Sequence, residues 1–329
     1  MGDRYEEGPA RCAIVLAGGS GQRLNGWVHR FRGDNLPKQY VALSDEGSLL
    51  ERTFERVERL IDPERVFTIT TQTHLTFPEA KAQLDARFPG TVIVQPDNKE
   101  TAPGVLLPLL HIEARFGDSA VALFPSDHHI EGEGLFMGYV DLALRIVDRY
   151  PSRVVLLGAT PDAPESEYGY LVPGPSARHT KLPGLRRVAA FIEKPNRDRA
   201  GELIAHGALW NTMVMTFRVR HLLAQAERIL PDVSRAFARI RGAIGTPRED
   251  AVVDAVYSEL PAINFSRTLL QALPAQRSSS LLVLPMRGVS WSDCGSEQRI
   301  TTLLERTGHP TPAAPRVAQP AFTMVARSA

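Results

Sequence analysis

Short apolar runs recur through the first half of the chain, separated by stretches whose apolar positions fall three and four apart. The runs at residues 12–17, 66–70, 91–95, 120–124 and 154–158 are continuous rather than alternating, the pattern of strands buried on both faces. Between them, residues 49–60, 78–87, 103–115 and 134–149 carry a helical period. Strand–helix–strand repetition at this spacing predicts an α/β fold: a three-layer α/β/α sandwich with a mixed, mainly parallel central sheet, Rossmann-like in outline. Ligands of such sheets collect beyond the carboxyl ends of the strands. Residues 18–23, 96–102 and 126–129 each directly follow a predicted strand and are expected to crowd one rim.

Beyond about residue 160 the pattern changes. Residues 168–170 and 188–193 read as strands of a more irregular, antiparallel section, and 209–217 is another apolar run. Residues 221–260 are amphipathic and helical, enough for two or three helices on the outside of the sheet, and 281–285 is a short late strand. The expected organisation is an N-terminal extension over 1–10, one catalytic domain over 11–305, and a flexible tail over 306–329, where Pro and Ala recur without periodicity.

Composition narrows the function classes. Lysine plus arginine number 38 against 37 aspartates and glutamates, a formal net charge of +1, so the whole chain offers no argument for nucleic acid or a membrane surface. Any anion recognition must come from local clusters. No apolar run reaches the ~18 residues of a membrane span, and the polar N-terminus is unlike a secretory signal; a cytoplasmic protein is expected. The two cysteines, Cys12 and Cys294, suggest neither a disulfide framework nor a zinc site.

The richest local chemistry is LAGGSGQRL at 16–24, followed by PKQY at 37–40. Gly18, Gly19 and Gly21 remove side chains where a backbone can approach phosphates, and successive N–H groups there can form an anion nest. Arg23 adds a planar charged fork and Lys38 a mobile point charge. A Walker A loop would need Lys-Ser or Lys-Thr after the glycines, and Leu24 stands where the dinucleotide fingerprint needs a third glycine. The alternative is a tight strand–helix connection without a ligand.

Seven segments in order, LAGGSGQRL with PKQY, QPDNKETAP, FPSDHHI, YGYLVPG, FIEKP, WNTMVMTF and WSDCGS, resemble the sugar-1-phosphate nucleotidyltransferases, most closely the mannose-1-phosphate guanylyltransferase branch. The resemblance runs through residues ~12–300 and implies the nucleotide-diphospho-sugar transferase fold. It also implies the reaction: a hexose 1-phosphate attacks the α-phosphorus of an NTP, and pyrophosphate leaves. Such a reaction needs positioning and charge neutralisation rather than a protein nucleophile. By the same resemblance Ala17, Gly18, Gly19, Gly21, Arg23, Lys38, Pro96, Glu100 and Thr101 lie on the nucleotide, and Gly169, Glu193, Lys194 and Asn211 on the sugar phosphate. Asp127 and Asp293 would hold Mg²⁺, which prefers oxygen ligands. Arg23, Lys38, Asp127, Lys194 and Asp293 would carry catalysis. Tyr168 and Trp210 fit either the sugar or the core. His128 and His129 lack a third nearby nitrogen or sulfur ligand for zinc.

The chain departs from the family pattern in places. Lys99 and Glu100 stand where Arg-Asn is usual; Glu100 could accept from the N1–H and N2 edge of guanine, favouring GTP. The basic stretch 25–35, with Arg30 and Arg32, either adds pyrophosphate contacts or is a solvated loop. Thr212-Met213 leaves less room beside the sugar than the usual Ser/Ala-Gly. The residues after ~305 are too few and too proline-rich for the isomerase domain of some relatives. The expectation is an enzyme making an NDP-hexose, GDP-mannose first, for polysaccharide or glycoconjugate synthesis. The alternatives are a catalytically silent sugar-nucleotide-binding regulator of the same fold, and a glycosyltransferase, which would want an Asp-x-Asp element. A homodimer contact on 221–260 is left open.

Overall fold

A computed structural model describes residues 10–44, 47–177, 182, 184–276 and 280–307. Residues 1–9 of the expected extension and 308–329 of the expected tail lie outside the described residues. The strands are β1 (Arg11–Leu16), β2 (Ala42–Ser44), β3 (Gly47–Ser48), β4 (Val66–Thr71), β5 (Val92–Gln95), β6 (Ala120–Pro125), β7 (His129–Glu131), β8 (Val154–Ala159), β9 (Gly169–Ser176), β10 (Arg186–Glu193), β11 (Leu209–Arg218), β12 (Leu281–Met286) and β13 (Ser290–Ser292). The helices are α1 (Asn25–Arg32), α2 (Leu49–Glu58), α3 (Pro78–Asp85), α4 (Thr101–Phe116), α5 (Glu133–Arg149), α6 (Arg197–Ala205), α7 (Val219–Ile229), α8 (Pro231–Arg241), α9 (Glu249–Glu259) and α10 (Glu297–Thr307).

Nine strands form one sheet in the order β5-β4-β1-β6-β11-β8-β12-β10-β9. Its first four strands run parallel, as do β8 and β12; β11 is antiparallel to both neighbours, and β10 to β12 and β9. Alternate residues of β1 feed two cores. Ala13 and Val15 pack with α2, α5 and α10, whereas Cys12 and Ile14 pack with α4, α7, α8 and α9. This is the α/β/α sandwich, with strands apolar on both faces because both faces are covered. The amphipathic stretch resolves into three helices, α7 to α9, whose Leu222, Phe237 and Val256 are buried in the second core.

Two elements differ from the pattern reading. The stretch after Leu24 is helix α1 rather than a loop, because Trp27 and Val28 turn into the first core and Trp27 stacks on Phe31 at 4.9 Å between centroids. Its Arg30 and Arg32 are ion-paired elsewhere, Arg30 with Glu297 at 2.6 Å and Arg32 with Glu79 at 2.8 Å and with Asp34. Helix α10 has no counterpart in the strand–helix reading. Its Ile300 and Leu304 close the first core beside the Asp293 turn.

Candidate active site

The glycine loop leaves β1 at Leu16 and is held from below by the PKQY segment. Gln39 donates through Nε2 to the carbonyls of Ala17 and Gly19, both at 2.9 Å, and Tyr40 Oη reaches the Ala17 carbonyl at 3.3 Å. Gly18 passes so close to Gln95 that a Cβ would lie 2.6 Å from its Nε2. Gly21 adopts φ 61°, where a side chain is strained. Among the described residues no hydrogen bond takes up the backbone N–H groups of Gly18, Gly19, Ser20 or Gly21. Gly19, Ser20 and Gly21, with Arg23, Lys38, Asp127 and Gly295, line a cavity of about 310 Å³ whose backbone donors and cations suit an anionic ligand.

Lys38 is the hub of that cavity. It is only 7 % exposed, and its Nζ donates to the Asp293 carbonyl at 2.7 Å and the Cys294 carbonyl at 2.9 Å, with Asp127 Oδ2 at 3.0 Å. Asp127 follows β6. Asp293 follows β13, which pairs antiparallel with β7, so the two carboxylate segments are tied together by a two-stranded ladder. Buttressing comes from α2 and the residue that follows it: Arg52, Arg56 and Arg59 all pair with Glu133, and the buried Arg56 also donates to the His128 carbonyl at 3.3 Å.

Asp293 is anchored through one oxygen. Its Oδ1 accepts from Arg299 Nη1 at 2.7 Å, the Gly295 N–H at 2.8 Å and Tyr168 Oη at 3.0 Å; none of these goes to Oδ2. Burial pushes its carboxyl up, but Arg299, then Lys38, outweigh burial and leave it below the ordinary carboxylate range. Burial and Asp293 together raise the Tyr168 phenol, which therefore stays protonated and donates. Arg299 is fixed in turn by Glu165 Oε2 at 2.6 Å and lies 4.3 Å over the Tyr168 ring. His128 is held neutral by burial, its pKa near 4, and its Nδ1 accepts from Trp291 Nε1 at 3.1 Å. Cys12 and Cys294 are buried thiols pushed up to about 11, inert at neutral pH.

Among the described residues no three His, Cys, Asp or Glu side chains gather as a ready-made metal cage. The donor set nevertheless fits a hard cation that completes its shell with phosphate oxygens and water. Asp293 Oδ2 is left out of the anchoring bonds, and Asp127 faces the cavity. Of the two histidines, His128 has its Nδ1 taken by the Trp291 N–H.

The second half of the cleft is formed where β9 and β11 begin and β10 ends. Gly169 is pressed against its neighbours: a Cβ there would meet Glu193 Oε2 at 2.8 Å and Asn211 Cβ at 3.4 Å. Burial raises the Glu193 carboxyl, with Lys194 and Arg267 opposing it. Asn211 Oδ1 accepts from the Met213 N–H at 3.1 Å inside an irregularity of β11. Trp210 and Tyr168 pack with each other and with Trp291; Tyr168 does double duty as a donor to Asp293. Thr212 points away, donating to the Leu157 carbonyl at 2.7 Å.

The segment 96–101 forms the remaining wall. Asn98 Nδ2 reaches the Gly18 carbonyl at 3.4 Å, Glu100 precedes the first turn of α4 without a side-chain capping bond, and Thr101 Oγ1 accepts from the Phe265 N–H at 2.8 Å. Glu100 Oε2 lies 3.4 Å from Asn264 Nδ2. Pro96 is half-buried at the end of β5. Four non-glycine residues among those described have positive φ: Glu100 (67°), Lys194 (49°), Met213 (56°) and Cys294 (47°). Each falls in a different motif segment of this cleft. Such strain costs of order 1–3 kcal/mol per residue and persists where surrounding structure enforces it.

Gly19, Gly21, Arg23, Lys38 and Asp127 thus share one cavity, Lys38 joins it to the Asp293 turn, and Gly169, Glu193 and Asn211 pack against one another in a second polar pocket. Gln39, Glu165, Glu167, Asn264 and Arg299 were not singled out. Their roles come from partners far away in sequence, and only the neighbouring motifs could have hinted at them.

An α/β/α sheet whose glycine loop opens on a cavity with two cations, beside two carboxylate segments joined through Lys38, is the architecture of a nucleotide-handling transferase. The chain belongs to the nucleotidyl transferase family, whose pattern it matches over residues 12–307. It is 27 % identical over 290 residues to a mannose-1-phosphate guanylyltransferase of Escherichia coli, covering 86 % of this chain and 58 % of that protein. It is 26 % identical over 299 residues to the xanthan biosynthesis protein XanB of Xanthomonas campestris, covering 90 % and 60 %. Among solved structures it is similar to the one described as a mannose-1-phosphate geranyltransferase from Thermus thermophilus, with a TM-score of 0.73 and 27 % identity over 89 % of this chain and 79 % of that one. The chain spans about three-fifths of the length of the curated relatives it matches. No helix among the described residues is long and apolar enough to cross a membrane.

Proposed function

We propose that this cleft joins a hexose 1-phosphate to an NTP, releasing pyrophosphate, with mannose 1-phosphate and GTP as the pair of first choice and GDP-mannose as product. The observation that carries the reading is the Lys38 hub. One buried ammonium, beside the Gln39 that holds the glycine loop, ties both carboxylate segments together, a charge arrangement suited to bringing two phosphate groups together.

In this reading the N–H groups of 18–21 and the guanidinium of Arg23 take the triphosphate, and Lys38 draws charge from it toward the rim. Lys194 takes the sugar phosphate, while Glu193 and Asn211 accept from and orient the hydroxyls. A carboxylate whose protonated form is favoured by burial gains from hydroxyl donors, and Gly169 keeps that face open. A phosphate oxygen of the sugar then attacks the α-phosphorus in line; the new O–P bond forms as the bond to the β-phosphate oxygen breaks, and that oxygen leaves with the pyrophosphate. Asp127 and Asp293 are the residues that would hold Mg²⁺, which supplies charge neutralisation at the transferred phosphate. Glu100 favours guanine, whose N1–H and N2 amine offer a carboxylate two donors side by side. Two names support the choice of substrates: a mannose-1-phosphate guanylyltransferase among the relatives, and a protein of xanthan synthesis, which points to a polysaccharide precursor.

The test is pyrophosphate release with Mg²⁺ across five NTPs and several hexose 1-phosphates. One strong combination, GTP with mannose 1-phosphate, is expected. A blank grid with protein that still binds nucleotide would replace this reading with that of a silent regulator.

A further inference from the structure

Between β8 and β9 the chain runs as an irregular segment, residues 160–168, two of whose side chains grip the bonded Asp293–Arg299 pair while a third turns into the cleft. Glu165 holds Arg299, Tyr168 holds Asp293, and Glu167 faces the open cleft. A single oxygen of Glu167, Oε2, lies 2.8 Å from Arg23 Nη1 and 3.4 Å from Lys194 Nζ. Arg23 belongs to the glycine loop and Lys194 to the end of β10, so one carboxylate spans both halves of the cleft. All three side chains are about half exposed. An ion pair so open to water contributes little to folding, which leaves its position in need of another account.

We propose that Glu167 is an internal anion. Its carboxylate keeps Arg23 and Lys194 together before substrate binds by occupying the space between them where phosphate charge arrives, and each substrate must displace it. The proposal rests on the reading above, in which Arg23 takes the NTP and Lys194 the sugar phosphate. Without Glu167 two cations would face each other unneutralised, and any small anion could settle between them. With Glu167, a ligand must outcompete a carboxylate. A polyphosphate or a sugar phosphate with further contacts can do so; a lone anion has nothing else to hold on to. Glu167 is thus a specificity residue, one that weakens both substrates while excluding simple anions more strongly.

Glu167→Gln keeps the shape and one acceptor oxygen and removes the charge. In the full chain, titration calorimetry and steady-state kinetics should show Kd and KM for GTP and for mannose 1-phosphate each falling about 2–5-fold, the scale of one exposed ion pair. Inhibition by inorganic phosphate should strengthen by a larger factor, and Tm should stay within a degree or so. A rise in KM for either substrate would overturn the proposal by making Glu167 a direct binding residue. Unchanged constants, or phosphate inhibition that does not strengthen, would overturn it too. Arg23→Ala and Lys194→Ala separate this from the underlying reading. If those raise KM for GTP and for the sugar phosphate respectively while Glu167→Gln changes nothing, the internal anion alone is wrong. If neither alanine variant changes KM, the assignment of the two cations is wrong.

Discussion

Replacing Lys38 by methionine should unfasten the phosphate cavity even with no substrate present. Methionine matches the apolar stem but cannot donate. The substitution strips a charged donor from the carbonyls of Asp293 and Cys294, at 2.7 and 2.9 Å, and from Asp127 at 3.0 Å. Hydrogen bonds to a charged group contribute about 1.5–3 kcal/mol each. Removing one partner of a buried pair costs about 3–5 kcal/mol. Asp127 is one-third exposed, so its share is discounted and the Lys38 knot as a whole falls at about 3–5 kcal/mol. A chain of this size unfolds with an entropy of about 0.7 kcal/mol/K, which converts the loss into a Tm drop of about 4–7 °C. Lys38→Arg should fail as well, because a planar fork cannot serve three acceptors converging on a point. Urea unfolding of the ligand-free proteins measures this directly. A Lys38→Met protein within about 1 kcal/mol of the unsubstituted chain would refute the hub.

Gly169→Ala should raise KM for the sugar phosphate about tenfold with a smaller effect on the NTP, because its Cβ would sit 2.8 Å from Glu193 Oε2 and displace it; kinetics with each substrate varied in turn would decide. Asp127→Asn and Asp293→Asn should each reduce turnover by about 10²-fold or more, and near-normal rates in either would remove that residue from the site. Chelation with EDTA should abolish turnover and Mg²⁺ should restore it; unchanged turnover in chelator would refute the metal-assisted mechanism. Stability should fall on acidification between pH 6.5 and 4. The buried His74 has its pKa depressed by burial to about 4, so the unfolded chain binds the extra proton across that window. His74→Gln should flatten the dependence by up to about 3 kcal/mol at pH 4, read from urea melts at several pH values.

The parallel half of the sheet and the rim it creates were legible because buried strands leave continuous apolar runs and glycines punctuate their ends. The later half was legible only as irregular: β11 swaps neighbours at its distortion and β9 closes back on it, a non-local arrangement that local periodicity does not encode. Helix α1 was hidden because its polar, basic residues outnumber the Trp27, Val28 and Phe31 that fold it. The carboxylates, cations and glycines of the cleft stand in recognisable segments. Their supports do not. Glu165 and Glu167 sit in a stretch without period, Arg299 lies on the unforeseen α10, and the positive φ of Glu100, Lys194, Met213 and Cys294 leaves no mark in residue type.

The most direct test of the central claim follows the phosphorus. The full chain would be given Mg²⁺, mannose 1-phosphate and GTP labelled at either the α or the γ position, and the products separated. The account predicts α-label in the nucleotide sugar and γ-label in pyrophosphate, both depending on mannose 1-phosphate. Label released as orthophosphate, or no labelled nucleotide sugar with any hexose 1-phosphate, would contradict it.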